Sequence, residues 1–238
     1  MPTSLILTFQ GVFQAWGKHS FETYRPTELF PTRSGVTGLL AAAIGIKRDE
    51  SEKYLKLDRS YTYAARCDFE TVSLFAEEES QSEDKTADEK EKVGYRRLVP
   101  GRKMTDFHTV QEVRTVGKKT KKTEVTSREY LEDQCFTLAI MQRDGAEYNL
   151  CDIERAVKKP CFSVHLGRKS CPLCLPLHKC TCEANNLNDA LYSQKPSGGF
   201  VYSEEKPEQE TFVLTVRDVP IGSRCFDIRK IYCYKMEG

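Results

Sequence analysis

The chain has 238 residues, a net charge of +1, 30% charged residues and 39% hydrophobic ones. That balance describes a soluble globular protein, long enough for one large domain or two small ones whose core needs no disulfides. The longest apolar run, GLLAAAIGI at 38–46, falls well short of the ~20 residues that span a bilayer, and the N-terminus shows no basic, cleavable leader. The expectation is therefore a cytoplasmic protein with no membrane association.

In chain order, SLILTF at 4–9 predicts a buried strand, which the glycines of GVFQAWG bring to an end. PTRS at 31–34 reads as a helix start with Ser34 as N-cap. GVTGLLAAAIGI then reads as a helix whose small residues suit close packing on a sheet. YTYAARCDF and TVSLF, within 61–75, alternate as strand. Residues 77–125 lack aliphatic periodicity and predict a polar arm. Its charges are segregated: residues 77–92 hold eight acids and three bases, while 93–125 hold nine bases and three acids. The acidic part is expected to be disordered or to face solvent. A strand returns at about 134–142, and NLCDIERAVKKP predicts a short amphipathic helix stopped by Pro160. A loop region containing Gly, Pro and Cys follows, and strands at 211–219 and 226–236 close the chain. The order implies an α+β fold, a small sheet backed by helices, compatible with a ferredoxin-like core.

Several stretches offer chemistry. The helix start at FPTRSG presents backbone N–H groups to an anion, with Arg33 beside it for a bidentate phosphate contact; the alternative is an ordinary helix with packed glycines. GVFQAWGKHSFETYRPTELF interleaves the only tryptophan, Trp16, with Lys18, His19 and Arg25. That pattern suits unstacked nucleotides, or else Trp16 is core and the bases are solvated surface. The run of lysines at 118–122 suits a nucleic-acid backbone or an exposed loop tip. His108, with Asp106 nearby, has the makings of a general base or of a structural histidine. Cys171, Cys174, Cys180 and Cys182 fall in a C-x2-C-x5-C-x-C pattern. Three readings stand open for them: a structural zinc, a redox pair, or cysteines close by accident. The other six cysteines are scattered and read as small buried hydrophobes.

Taken in one order, LTFQGVFQAWG, RPTELFPTRSGVTGLLAAAIGI, DFHTVQ, SREYLEDQCFTLAI, LGRKSCPLCLPL and GGFVYSEE closely resemble the CasD family, the RAMP-superfamily subunit of type I-E CRISPR Cascade. The resemblance covers about residues 5–220 and is poor over 77–103. It implies a ferredoxin-like (RRM-like) RAMP core at 1–76 and 126–238, with a C-terminal β extension and a β-hairpin thumb within 77–125. It also implies a non-catalytic subunit that caps the five-prime end of crRNA by gripping the repeat-derived handle. Its partners would be crRNA, the backbone RAMP subunit and the large PAM-reading subunit, with target DNA met indirectly, all in antiviral defence.

Carried onto this chain, the handle-gripping positions are Gln14, Trp16, Arg25, Arg33, Ser34, His108, Thr109, Arg128, Gly167, Arg168 and Lys169. No catalytic residue and no required cofactor are implied. In related type I-C systems the equivalent subunit is a metal-independent endoribonuclease that processes the repeat RNA. That is the alternative activity, with His108 as its acid or base. Two departures stand out: the acidic stretch resembles an insertion, and Cys174 and Cys180 resemble additions. Cys171 then reads as a small buried residue fixing the loop that presents Arg168 and Lys169.

Overall fold

The computed structural model describes residues 2–20, 23–72, 95–114, 120–195, 198–209, 211–222 and 225–237. The acidic stretch 77–92 and the lysines at 118 and 119 lie outside the described residues.

The first strand, β1 (Thr3–Gln14), is followed by β2 (Trp16–Gly17), β3 (Tyr24–Arg25) and β4 (Thr27–Glu28). Then come α1 (Arg33–Ile44), α2 (Ser51–Arg59), β5 (Tyr61–Asp68), β6 (Glu70–Val72), β7 (Tyr95–Arg97), β8 (Lys103–Arg114) and β9 (Thr120–Gln142). The chain continues through α3 (Leu150–Lys158), β10 (His178–Glu183), α4 (Leu187–Tyr192), β11 (Gly199–Ser203), β12 (Phe212–Gly222) and β13 (Cys225–Met236).

The main sheet runs β10-β1-β9-β5-β11-β13-β12, with every neighbouring pair antiparallel. Two more strands join through β9: β8 pairs with it antiparallel and β3 parallel. β9 is therefore the spine. Its first half carries β8 out from the body, and its second half lies between β1 and β5.

The two-residue period of a strand sorts side chains onto two faces. Leu5, Leu7 and Phe9 of β1 and Phe136, Leu138 and Ile140 of β9 enter the larger core with Val36, Leu39, Leu40, Leu57, Ile153 and Val157 from α1, α2 and α3. Ile6, Ala139 and Met141 turn to the other face and meet Leu187, Ala190 and Leu191 of α4. Each fully buried aliphatic contributes about 1.5–3 kcal/mol relative to exposure, so both layers hold the sheet.

Four expectations need correction. The first strand does not end at its glycines. It runs through Gly11, where a Cβ would meet Leu166 Cδ1 at 2.7 Å and the Pro172 carbonyl at 2.8 Å, so Gly11 admits a crossing loop. The N-cap of α1 is Thr32, not Ser34; Thr32 is extended, and its carbonyl accepts from the Val36 N–H at 2.9 Å. The strand expected near 134 starts at Thr120, because the β8–β9 arm is a largely exposed ribbon held by its backbone ladder and needs no apolar alternation. The region read as loop after Pro160 contains β10 and α4. In β10 the alternation was carried by Cys180 and Cys182, which pack against the α4-side core.

Candidate nucleic-acid interface

The residues singled out in the sequence divide into a buried set and a surface set. Gln14 and Trp16 are both fully buried. The Gln14 amide donates to the Phe9 and Gln134 carbonyls at 3.1 and 2.7 Å, and its oxygen accepts from the Trp16 indole at 3.1 Å. Trp16 stacks on Phe9 with centroids 5.6 Å apart and forms the seat of α1: a Cβ on Gly35 would lie 2.8 Å from the indole ring. Both side chains of the QAWG motif are therefore enclosed by this chain's own packing.

Arg33 is corrected in the same way. It is 2% exposed, with its Nε 2.9 Å from Asp58 Oδ1 and its Nη1 2.5 Å from Glu204 Oε1. The anion expected at the start of α1 is intramolecular. The Arg33 backbone N–H donates to the Asp218 carboxylate at 2.7 Å, and Asp218 in turn pairs with Arg229 at 2.7 Å. Arg229 also reaches Glu204 at 2.7 Å. This network ties α1, α2 and the β12–β13 hairpin together. Burial works to raise the Glu204 carboxyl, yet the two guanidiniums outweigh it and hold its pKa below the ordinary 4.5. Glu204 is delivered by the GGFVYSEE motif. There a Cβ on Gly199 would lie 2.3 Å from the Cys67 carbonyl, so only glycine lets β11 sit this close to β5.

The surface set converges at the root of the arm. Arg25 on β3 is opposite Arg128 on β9, and Arg128 is opposite Asp106 on β8. On the same face, His108 Nε2 lies 2.8 Å from Asp106 Oδ2 and 3.2 Å from the Tyr130 hydroxyl. Arg168 reaches in from the loop after α3. Its guanidinium lies 4.8 Å above the Tyr130 ring and donates to the Glu129 and Arg25 carbonyls at 2.9 and 3.1 Å. Three arginines from three separate segments thus share one face with an aromatic ring and an imidazole.

The loop that presents Arg168 is tightly specified. Gly167 has φ +86, and a Cβ there would lie 1.8 Å from the Ala15 carbonyl, a conformation and a contact open only to glycine. The Leu166 N–H donates to the Cys171 carbonyl at 2.8 Å and the Cys171 N–H to the Arg168 carbonyl at 2.9 Å, closing the turn around a fully buried Cys171. Burial pushes the Cys171 thiol up. Thr109 does not join this face. It points to the opposite side of the arm with Phe107, which is 70% exposed, and Val125. Ser34 sits in the first turn of α1, and Lys169 is exposed beside Arg168.

The four cysteines of the quartet do not come together at one place in the fold. Cys171 lies in the core under α1, whereas Cys180 and Cys182 pack on the α4 side of the sheet and Cys174 is exposed. Among the described residues no group of three or more His, Cys, Asp or Glu could hold a metal ion. Tyr130 was missed in the sequence. It stands two residues from Arg128 in a strand, and that spacing alone puts both on one face. Among the described residues no helix is long and apolar enough to cross a membrane.

Fold and site define a mixed α/β chain on a mostly antiparallel sheet, with cations, a tyrosine and a histidine gathered on one face of a two-stranded arm. The chain belongs to the Cas5 family of CRISPR-associated proteins: the family model described as "CRISPR-associated protein (Cas_Cas5)" matches residues 4–231. It is 38% identical over 239 residues, 99% of this chain and 97% of the relative, to the "CRISPR system Cascade subunit CasD" of Escherichia coli (strain K12). Its fold is similar to that of a chain from a "CRISPR RNA-guided surveillance complex", with TM-score 0.67 and 23% identity, covering 98% of this chain and 90% of that one. It is likewise similar to a chain described as "Crystal structure of Cas protein", with TM-score 0.62 and 23% identity, covering 98% and 94% of the two.

Proposed function

We propose that this chain is the non-catalytic RNA-binding subunit of a type I-E CRISPR surveillance complex. It grips the five-prime handle of crRNA and links the backbone subunit to the large PAM-reading subunit. The observation that carries this reading is the convergence of Arg25, Arg128 and Arg168 around Tyr130 at the arm root. Cations so placed neutralise phosphates and release counterions, a term that falls steeply with salt. The outer face of the Arg168 guanidinium is a flat cation suited to a base.

The strand order β10-β1-β9-β5, with α1 and α2 between β1 and β5 and α3 between β9 and β10, supports a ferredoxin-like RAMP core. In this reading β8 and the first half of β9 are the thumb, and β11–β13 are the C-terminal β extension. Phe107, Val125 and Thr109, on the far side of that thumb, form a strip for the neighbouring backbone subunit. The lack of any membrane-spanning helix among the described residues agrees with a cytoplasmic ribonucleoprotein.

The test is the affinity for single-stranded RNA carrying the repeat-derived five-prime fragment, measured at about 50 to 200 mM salt. Arg25→Ala and Arg128→Ala should each lower the salt slope by about 1. Arg168→Ala should weaken binding more, because it also loosens the loop. Unchanged affinity and slope in the triple variant would remove this site.

One observation favours a second reading, the repeat-RNA endoribonuclease: His108 lies between Asp106 and Tyr130. The same Nε2 serves both partners, an arrangement that orders the arm and leaves a proton-transfer role to be tested directly in cleavage assays.

A further inference from the structure

We propose that Glu129 is the positioning residue of the arm root, a carboxylate that holds Arg25 and Arg168 in place from the far face of β9. This rests on the RNA-binding reading above and adds to that site a part which none of its cations supplies.

Glu129 follows Arg128 on β9, so its side chain leaves the strand on the face opposite Arg128 and Tyr130. Three donors from two other segments converge on it there. Oε1 accepts from the Tyr24 hydroxyl, and Oε2 accepts from the Thr27 N–H at 3.0 Å and from Lys103 Nζ at 3.1 Å. Lys103 Nζ also donates to the Thr27 carbonyl at 3.0 Å. Thr27 is fully buried, and its hydroxyl accepts from the Trp16 N–H at 2.8 Å. Tyr24 and Thr27 bracket Arg25, which lies on a strand of only two residues. So short a strand has little ladder of its own, and the clasp on either side of Arg25 fixes where it stands.

Arg168 depends on the same carboxylate. It donates to the Glu129 and Arg25 carbonyls at 2.9 and 3.1 Å. One acceptor belongs to Glu129, and the other to the segment that Glu129 holds. Arg128 does not share this dependence, because the β8–β9 ladder carries it. Glu129 therefore governs two of the three arginines.

Burial works to raise the Glu129 carboxyl, yet the bonds from Tyr24, Thr27 and Lys103 outweigh it and hold its pKa below the ordinary 4.5. An ionised carboxylate near a phosphate site repels the ligand if it does nothing else. Positioning and simple repulsion therefore predict opposite signs when its charge is removed. Glutamine keeps the shape but has one acceptor oxygen, and its NH2 would face donors.

The experiment uses the full chain and single-stranded repeat-derived RNA, with affinity measured at about 50 to 200 mM salt. Glu129→Gln is made alone and combined with Arg25→Ala, Arg168→Ala or Arg128→Ala. Alone, it should weaken RNA by about fivefold and lower the salt slope by about 1, although a negative charge has been removed. In its background Arg25→Ala and Arg168→Ala should cost less than in wild type, while Arg128→Ala keeps its full cost. Tyr24→Phe removes one bond of the clasp and no charge. It should act in the same direction by a smaller factor, and it carries the test should Glu129→Gln not fold. Tighter RNA binding by Glu129→Gln, with all three arginine costs unchanged, would make Glu129 a repelling charge only and overturn the proposal. Equal shrinkage of all three costs would mean a general loosening of the fold and would overturn it too. If the three arginine variants had no effect even with Glu129 present, the RNA-binding reading itself would fall, and the positioning role with it.

Discussion

Removing the Arg33 side chain should unfold the protein before it affects RNA. In Arg33→Ala, Glu204 loses one of its three guanidiniums, keeping Arg229 and Arg143, and Asp58 loses the cation 2.9 Å away, both carboxylates lying inside the body. Deleting one partner of a buried pair typically costs about 3–5 kcal/mol, out of a total of about 5–15 kcal/mol. For a chain of this size that corresponds to a drop in Tm of about 10 °C. Arg33→Met, which restores volume without charge, should recover little, because Asp58 is still left inside the body without its cation. The assay is thermal unfolding beside RNA binding at a temperature where each variant is still folded. The expected result is a large loss of stability with RNA affinity near wild type. A variant that melts like wild type yet loses RNA would mean that Arg33 faces the ligand, and the buried network as described would be wrong.

The remaining expectations are briefer. Glu204 has a folded pKa depressed below 4.5, so its stabilisation is present above that value and lost as pH falls through the lower folded pKa. Wild type should lose stability steeply below about pH 4.5, while Glu204→Gln should be less stable at neutral pH and show a flatter acid limb. Chelator should leave Tm unchanged, since Cys171 and the Cys180–Cys182 pair lie on opposite faces of the sheet; a drop on chelation would mean a metal joins them. Repeat RNA incubated with the protein without divalent ions should keep its length in wild type and in His108→Ala. Specific cleavage by wild type that His108→Ala abolishes would establish the endoribonuclease.

The sequence was most legible where a face is buried. The strand at 4–9, the glycine- and alanine-rich helix and the helix before Pro160 all carry apolar periodicity, and all are present. Legibility failed where the signal was polar. The arm is a ribbon without a core, so its strands have no apolar alternation to read. β10 hid behind its cysteines, whose inward spacing looked like a ligand pattern. Among the site residues, composition alone could not separate Arg33 from Arg128. Both are arginines beside glycine-, serine- or threonine-containing stretches, and what differs is whether carboxylates distant in sequence surround them. Glu204 and Asp218 lie 171 and 185 residues from Arg33, a separation that only the fold closes. Trp16 and Gln14 were drawn to the surface by their chemistry and belong to the core by their burial.

The central claim is most directly tested by purifying the tagged chain from its host and sequencing the RNA that comes with it. The expected result is a set of RNAs with different spacers that share one repeat-derived five-prime fragment, together with other subunits of a CRISPR complex. RNA of random origin, or none at all, would contradict it.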